Sequence, residues 1–455
     1  MSTRSAYRLL PRVAGPGLLV IAFLARLPAA MAPLGVIVLV SSVTGSFSQA
    51  GIATAALGIG AALGGPVTGW LTDVAGQRTI GLATALVNAC ALVATALVVL
   101  GGGGVVATAA FAALTGLASP QVGPLARVRW SALLPSRGHS ELLSTAMAYE
   151  GGADETSYVV GPALVGLLTL VGPPVLPLAA AAALTIGAAV PFAMHPTATA
   201  GRRRSRHTAT SPAGTSRPST SPSGSAPSGS APLPVAALVV LGIVMTAIGL
   251  VFGATQTGIT ALAEASGHAG VAGLIYSVLG VGSATAGLAT AWLPGRFTLD
   301  RRLSAFAALL FAGALGLLAI RGAVVASIAM LILGVAVAPL LVTAYAVAER
   351  IAPPARMATV ITLLASGTVA GVALGAGAAG PLAQAYGYPA ALAVPAFAGA
   401  LALLAGMAGR RSIAAALESA ARRREIIATN LAAEPVCGGD PRPAAAIVVA
   451  AGQSR

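Results

Sequence analysis

Charged residues are scarce in this chain of 455 residues: they make up 8% of it, whereas hydrophobic residues make up 56%. A soluble domain carries about a quarter charged residues, so the composition excludes a globule with a water-facing surface. Lysine is absent altogether. Without lysine the chain cannot contain the GxxxxGK[ST] phosphate-binding loop, and we therefore do not expect ATP to drive the protein directly.

Cysteine, histidine and aromatic residues are also few. Cys90 lies in an apolar run and Cys437 near the C-terminus, which disfavours a disulfide framework. The four histidines lack metal-ligand spacing, so we predict no metal, no cofactor and no enzymatic activity. Aromatic residues make up 4%, too few for an evident aromatic cage around a cationic ligand. With no basic groove either, no nucleic-acid partner is expected despite the net charge of +14.

Long apolar runs are what the chain has in abundance, and each is near the roughly 20 residues that a helix needs to cross a bilayer. Lipid requires that backbone polar groups be satisfied within their own segment, so the runs are predicted to be helices. Twelve spans are predicted, at residues 16–40, 49–71, 79–100, 105–129, 141–169, 174–195, 234–262, 269–293, 302–320, 323–349, 357–383 and 388–409. The first run exceeds the core of about 7–15 residues in a signal peptide, so it is interpreted as a retained span.

All 26 basic residues are arginines, and most of them cluster in alternate breaks between the spans. The clusters lie at residues 4–12, 78, 127–137, 202–206, 296–302, 350–356 and 410–411. Basic residues collect in short loops on the cytoplasmic side of a membrane. The alternation therefore predicts an all-α, multi-pass membrane protein in the lipid bilayer, with both termini cytoplasmic.

Composition divides the chain further. Five segments are predicted: a cytoplasmic N-terminus at 1–15, a six-helix half at 16–196, a cytoplasmic linker at 197–233, a second six-helix half at 234–409 and a cytoplasmic tail at 410–455. The linker is rich in Ser, Pro, Gly and Thr and is predicted to be disordered. For the tail, a helix on the inner membrane surface and a solvated segment are both open.

Residues 69–78 read GWLTDVAGQR. They resemble the loop motif between the second and third helices of the major facilitator superfamily, Gly-x-Leu-x-Asp-basic-x-Gly-basic-basic. Five positions match: Gly69, Leu71, Asp73, Gly76 and Arg78. Val74 and Gln77 each stand where the motif has a basic residue. The resemblance implies twelve helices in two halves and a conformational latch at this loop, which Glu349 and Arg350 at the inner end of the tenth helix are expected to match.

Two further comparisons with the family concern its proton antiporters. Their fifth helix carries Gly-Pro-x-x-Gly-Gly, and this chain has Gly161-Pro162-Ala-Leu-Val-Gly166, which keeps the Gly-Pro. Their fourth helix carries an arginine well inside the membrane, whereas Arg127 and Arg129 are predicted here at the cytoplasmic end of the span. The resemblance to an antiporter is therefore partial.

A few ionisable residues fall within predicted spans, where each is costly and is a candidate functional residue. Arg26 in the first helix and Glu150, Asp154 and Glu155 in the fifth are all expected roughly 14–21 Å deep. Glu150 and Asp154 share a helix face because they are four residues apart. We predict an ion pair from Arg26 to one of these two, and three carboxylates so close should not all stay charged. The group either locks the N-terminal half together or serves as a protonation switch or substrate-binding point.

The resemblance also implies that the first, fourth, seventh and tenth helices line a central cavity. Gln121, Gln256 and Tyr345 then become candidate cavity residues, although each is equally compatible with an interhelical hydrogen bond. Tyr276 in the eighth helix is expected to pack.

These observations predict a secondary active transporter that moves a small organic molecule by alternating access, as proton-coupled efflux. A proton-coupled or facilitative importer of a small polar metabolite is the first alternative. A non-transporting receptor or scaffold of the same fold is the second. The Arg-only, Ala- and Gly-rich composition is typical of a GC-rich bacterium and hence of the plasma membrane, and a monomer is expected.

Overall fold

The computed structural model describes residues 3–199, 233–294, 296–353 and 356–433. Every regular element within these ranges is helical, which confirms the all-α prediction. The predicted linker, 197–233, lies almost entirely outside the described residues, and so does the tail beyond 433. Only the helical turn Pro196–Thr199 and Leu233 at its edges are described.

The N-terminal half contains ten α-helical segments. They are α1 Thr3–Ala14, α2 Pro16–Leu24, α3 Leu27–Thr44, α4 Phe47–Ala75, α5 Gln77–Leu100, α6 Val105–Leu117, α7 Val122–Ser136, α8 Leu143–Val171, α9 Leu176–Leu184 and α10 Val190–Met194. A π-turn, Thr185–Ala189, joins the last two. The segments α2–α3, α6–α7 and α9–α10 each form one long interrupted helix.

The described C-terminal half contains eight more segments. They are α11 Val235–Ala265, α12 Val271–Ala289, α13 Leu299–Gly316, α14 Ala323–Ile351, α15 Met357–Tyr386, α16 Tyr388–Ala391, α17 Ala393–Ala408 and α18 Arg410–Ala433. The last of these lies in the predicted tail. It packs Ile413 and Ala416 into the core of this half, so the described part of the tail is a docked helix.

Eleven of the described helical stretches are long and apolar enough to cross a membrane. They coincide with the predicted spans, except that the fifth, α8, is not among them. This helix is long enough, at 29 residues, but Glu150, Asp154 and Glu155 lower its hydropathy. The residues that make α8 a weak membrane segment are therefore the residues singled out for function.

Prolines interrupt two of the long helices. Pro28 has no N–H to donate to the carbonyl of Leu24, and the first helix bends between Leu24 and Leu27. Pro120 lies in the break between α6 and α7.

The fourth helix also corrects one of the predicted boundaries. Its span was predicted to end at residue 129, but α7 continues to Ser136. Arg127 and Arg129 therefore lie within the helix and not at its end, and both bond to neighbouring helices.

The two halves touch through α4 against α15 and α8 against α12. We call the end of the bundle that carries Arg78 and Arg350 the basic end, and the other the opposite end. Glycines allow the closest approaches, and all of these lie toward the opposite end: a Cβ on Gly51 would fall 2.6 Å from the carbonyl oxygen of Ala376, and one on Gly273 would fall 2.2 Å from that of Pro162. The halves are thus packed together at the opposite end.

Two hydrogen bonds join the halves at the same end. The Ser41 hydroxyl donates to a carboxylate oxygen of Glu264, and the Phe47 amide donates to Gln384 Oε1 at 2.8 Å. Toward the basic end, α15 instead has an open face formed by Thr359, Thr362, Leu363 and Ser366. The bundle is therefore sealed at one end, with open space beside α15 near the other.

Candidate substrate and proton site

An ion network lies in the middle of the N-terminal half, where the first, fourth and fifth helices meet. Arg26, at the bend of the first helix, is at its centre. Its Nε donates to Asp154 Oδ1 at 2.7 Å, its Nη2 donates to Glu150 Oε2, and its Nη1 donates to the carbonyl of Ala22 at 2.8 Å. The predicted ion pair is confirmed, and it involves both candidate carboxylates.

Glu150 is the most deeply buried member of the network, with 1% of its surface exposed. Its second oxygen accepts a hydrogen bond from Trp130 Nε1 at 2.7 Å. Trp130 lies on α7, and its ring packs in the core cluster that also holds Leu134 and Leu142. A buried charge needs partners for its lone pairs, and here an arginine and an indole supply them. Trp130 was missed at the sequence level because nothing in its spacing points to α8.

Asp154 bridges two arginines. Its Oδ1 accepts from Arg26 and its Oδ2 from Arg127 Nη2 at 2.6 Å. Its side chain is 31% exposed and that of Arg127 is 36% exposed, so this edge of the network reaches water while Glu150 does not. Asp154 is therefore the more accessible of the two carboxylates that Arg26 holds.

Glu155 stands apart from the network. It lies on the next face of α8 and is exposed, and no arginine within the described residues pairs with it. Three carboxylates therefore face two arginines. The unbalanced charge of the site is negative and is located on Glu155.

The C-terminal half contributes polar groups without charge. Gln256 and Tyr276 are buried, with 8% and 6% of their surfaces exposed, and the Tyr276 hydroxyl lies beside Gln256 and Thr255. Tyr345 is half-buried on α14. Tyr158 of α8 is 62% exposed. Tyr276 is packed in the apolar core of this half, as predicted.

Gln121 lies in the break of the fourth helix. Its Nε2 donates to the carbonyl of Ser119 at 3.1 Å, and its amide lies near Gly65 of α4. With Gly81 and Phe192 it also borders a small pocket inside the N-terminal half. Its role as a cavity residue remains a prediction.

Arg129 forms a second buried cationic site on α7. Its guanidinium lies 3.8 Å from the centre of the Phe192 ring, and its Nη1 donates to the Phe192 carbonyl at 2.8 Å. Its Nε donates to Gln77 Oε1 at 3.2 Å. Gln77 stands where the family motif has a basic residue, and an arginine there could not accept this hydrogen bond. The glutamine at this motif position therefore serves as the hydrogen-bond acceptor for Arg129.

The residues of the predicted latch lie at the basic end. Asp73, Arg78 and Glu349 are exposed, and in the part of the chain that the structure describes none of them forms an ion pair. Arg350 contributes its backbone carbonyl, which Arg424 Nη2 of α18 approaches at 3.5 Å. Gly69 has open space around it, and Gly76 has a φ of 91°, a turn conformation that favours glycine.

Comparison with known proteins identifies the class. The model of the Major Facilitator Superfamily matches residues 18–362, and the chain belongs to this family. No curated protein matches the chain in sequence.

Solved structures share the fold at low sequence identity. The nucleoside transporter NupG is 14% identical with a TM-score of 0.66, over 87% of this chain and 98% of that one. A bacterial homologue of the iron transporter ferroportin, in an inward-facing state, is 17% identical with a TM-score of 0.63, over 88% and 99%. A D-xylose-proton symporter is 14% identical with a TM-score of 0.59, over 86% and 96%. The family and the fold together define a multi-pass secondary transporter.

Proposed function

We propose that this transporter exports a small organic molecule from the cell in exchange for protons. Its two halves, 16–196 and 234–409, alternate access to a site between them. The observation that carries the proposal is the position of Asp154: a partly exposed carboxylate that bridges Arg26 and Arg127 and so connects three helices of one half.

A proton on Asp154 would remove the charge that holds both arginines. Arg26 would keep Glu150 as its partner, whereas Arg127 would lose the ion pair that joins α7 to α8. Proton binding would therefore change how the fourth and fifth helices are held together. Because buried ion pairs contribute little net stability, a purely structural role would be served as well by apolar side chains, which favours a coupling role.

The close packing of the halves at the opposite end and the open face of α15 toward the basic end support a conformation that faces the cytoplasm. This assignment follows from the rule that arginine-rich loops are cytoplasmic. It is also the state in which a latch made of Asp73, Arg78 and Glu349 would be disengaged, in keeping with their exposure.

We further propose that α8 crosses the membrane as the twelfth span. Glu150 and Asp154 are paired with Arg26, so neither presents an unpaired charge to lipid. Glu155 has no such partner, but it lies one helical turn from Val159, which packs against Gly280 of the other half. An even number of spans then places both termini in the cytoplasm, with the protein in the bacterial plasma membrane.

Import is the alternative. One structural neighbour is named a D-xylose-proton symporter, and the same protonatable network could run a symport cycle. The Gly161-Pro162 pair, shared with antiporters of the family, favours export.

Transport in proteoliposomes with an imposed pH gradient tests the proposal. A compound library is screened for substrate-dependent proton movement through a trapped pH dye, in both gradient directions. Asp154→Asn is expected to abolish proton coupling while the protein remains folded. Glu418→Gln, which alters an exposed tail carboxylate, is the matched control and should transport normally. Coupled transport by Asp154→Asn at the control rate would overturn the proposal.

A further inference from the structure

The short helix α1 is docked against the N-terminal half. Its apolar side is buried, with 1% of Leu10, 7% of Val13 and 7% of Ala14 exposed, and Leu10 belongs to the same core cluster as Trp130. Gly15, with a φ of 92°, separates α1 from the first span. The chain therefore turns just before it enters the bundle, and α1 stays at the basic end.

The opposite side of α1 carries positive charge. Arg8 and Arg12 are four residues apart, so they share a helix face, and both are exposed. Arg137, which follows α7 and is also exposed, donates from Nη1 to the carbonyl of Val13. This hydrogen bond brings a third guanidinium to the C-terminal end of α1. We call Arg8, Arg12 and Arg137 together the arginine patch.

No carboxylate pairs with the arginine patch within the described residues. The sequence contains no acidic residue before Asp73, and α7 contains none either. Glu141, the acidic residue nearest to Arg137 along the chain, pairs instead with His139 at 3.3 Å. Because like charges held close together repel one another, an anion from outside the chain would stabilise this patch.

The patch is placed along the chain at the level of the lipid headgroups. The first apolar stretch able to cross a membrane begins at Gly17, and Arg12 comes five residues earlier, roughly 8 Å at the helical rise. A hydrocarbon core of about 30 Å within a bilayer of about 40–45 Å leaves about 5–8 Å for each headgroup layer. Tyr7, which is 41% exposed beside these arginines, is of a residue type enriched at this level.

The docked helix of the other half offers no such patch. On α18, Arg422 lies 3.8 Å from Glu418, and Glu425 is exposed as well. Charges of both signs therefore balance one another on this helix. The absence of acidic residues beside the arginines distinguishes α1 from α18.

We propose that the arginine patch binds an anionic phospholipid of the leaflet at the basic end, with the lipid phosphate held between Arg12 and Arg137 and flanked by Arg8. The headgroup supplies the negative charge that the chain lacks at this place. Since the buried side of α1 packs in the core of the N-terminal half, the bound lipid also stabilises the docking of α1. Neither the identity of the substrate nor proton coupling enters this proposal.

Native mass spectrometry of the purified, delipidated full-length protein in detergent measures the bound lipid directly. The probes are dioleoyl phosphatidylglycerol, which is anionic, and dioleoyl phosphatidylcholine, which has the same acyl chains and no net charge. Phosphatidylglycerol is expected to bind at least about tenfold more tightly. Equal affinity for the two lipids would overturn the proposal. Inorganic phosphate that displaces phosphatidylglycerol would also overturn it, because the site would then be one for a free anion.

Variants locate the site. Arg12→Gln removes a charge that makes no hydrogen bond within the described residues, and it should weaken phosphatidylglycerol binding about fivefold while phosphatidylcholine binding stays unchanged. Arg8→Gln combined with Arg12→Gln should weaken it further, whereas Arg12→Lys keeps the charge and should retain most of the affinity. Arg422→Gln makes the same charge change on α18 and is the matched control, expected to bind as wild type.

Two results would show that the site is wrong. One is wild-type affinity for phosphatidylglycerol in the double variant of Arg8 and Arg12. The other is a loss in Arg422→Gln as large as that in Arg12→Gln, which would mean that the lipid responds to net charge and not to the patch. Phosphatidylcholine binding and the Tm, measured on the same samples, verify that each variant is folded.

Discussion

The N-terminal and C-terminal halves share a helical plan but bury different chemistry. The first buries Arg26, Arg129 and Glu150. In the second, the described residues bury no charged side chain, and one continuous apolar cluster extends from Ala237 to Ala416. Burying charged groups is costly, so the buried ions of the N-terminal half are not required for the stability of this fold. The comparison indicates that the buried charged groups belong to the N-terminal half, whereas the interior of the described C-terminal half is largely neutral.

Three buried threonines of the C-terminal half donate hydrogen bonds within their own helices. The hydroxyls of Thr255, Thr257 and Thr343 each donate to a carbonyl one turn back in their own helix. In the N-terminal half, by contrast, Arg26, Arg127 and Trp130 bond across helices. The cohesion of the N-terminal half thus depends on side chains that can change their protonation or their partners.

The largest expected difference between the halves comes from removing Arg26. Arg26→Ala leaves Glu150 buried with only Trp130 as a partner, and breaking a buried ion pair costs about 3–5 kcal/mol. A large drop in Tm and in monodisperse yield is expected in detergent. Arg321→Ala, at an exposed arginine of the C-terminal half, is the control and should melt as wild type.

The double variant Arg26→Ala with Glu150→Gln removes the uncompensated charge and should recover much of the lost stability. If Arg26→Ala melts at the wild-type Tm, the N-terminal half does not depend on its buried ion pair. The same conclusion follows if the double variant is no more stable than Arg26→Ala alone.

Trp130 tests the same comparison at smaller scale. Trp130→Phe keeps most of the buried ring but removes the hydrogen bond to Glu150, and hydrogen bonds to charged groups contribute about 1.5–3 kcal/mol. A moderate decrease in Tm is expected. Trp292→Phe is the counterpart in the C-terminal half, where the indole is 82% exposed against 2% for Trp130. Equal melting of the two variants would contradict the assignment.

The smallest effect is expected where the halves meet. Ser41→Ala removes the hydroxyl that donates to Glu264 across the opposite end, and a hydrogen bond of this kind is worth about 1.5 kcal/mol or a factor of ten. The seal should open more often, without loss of Tm. Ser266→Ala, whose hydroxyl bonds only within its own helix, is the control.

An accessibility assay detects that opening. A Cβ built on Gly377 would lie 3.3 Å from the Cβ of Ala55, so these residues face each other across the sealed end. Ala55→Cys, in a background without Cys90 and Cys437, therefore reports on the opening of this end. An impermeant maleimide should label this position faster in the Ser41→Ala protein. Identical labelling rates in the two serine variants would count against the bridge.

Much of the architecture could be predicted from hydropathy and charge. The apolar runs located the helices, since lipid permits few alternatives. The pairing of Arg26 with the α8 carboxylates could be predicted because intramembrane charges are rare and must find one another. The same scarcity limited the search to a handful of residues.

What could not be predicted depends on contacts between distant helices. Arg127 was interpreted as a boundary marker, because an arginine near the end of an apolar run is usually solvated, yet it pairs with Asp154. Trp130 and Glu150 lie on different helices and share no sequence spacing, so only the packing of α7 against α8 reveals the hydrogen bond between them.

Arg26 lies at the bend in the first helix. Pro28 leaves the carbonyl of Leu24 without its helical donor. The Arg26 guanidinium donates both to the carbonyl of Ala22, before the bend, and to Glu150 of α8. The position of the bend is therefore tied to the two carboxylates that Arg26 holds. The segment Pro16–Leu24 packs with Leu10, Trp130 and Leu142 toward the basic end, so Arg26 connects this packed segment to the carboxylates of α8.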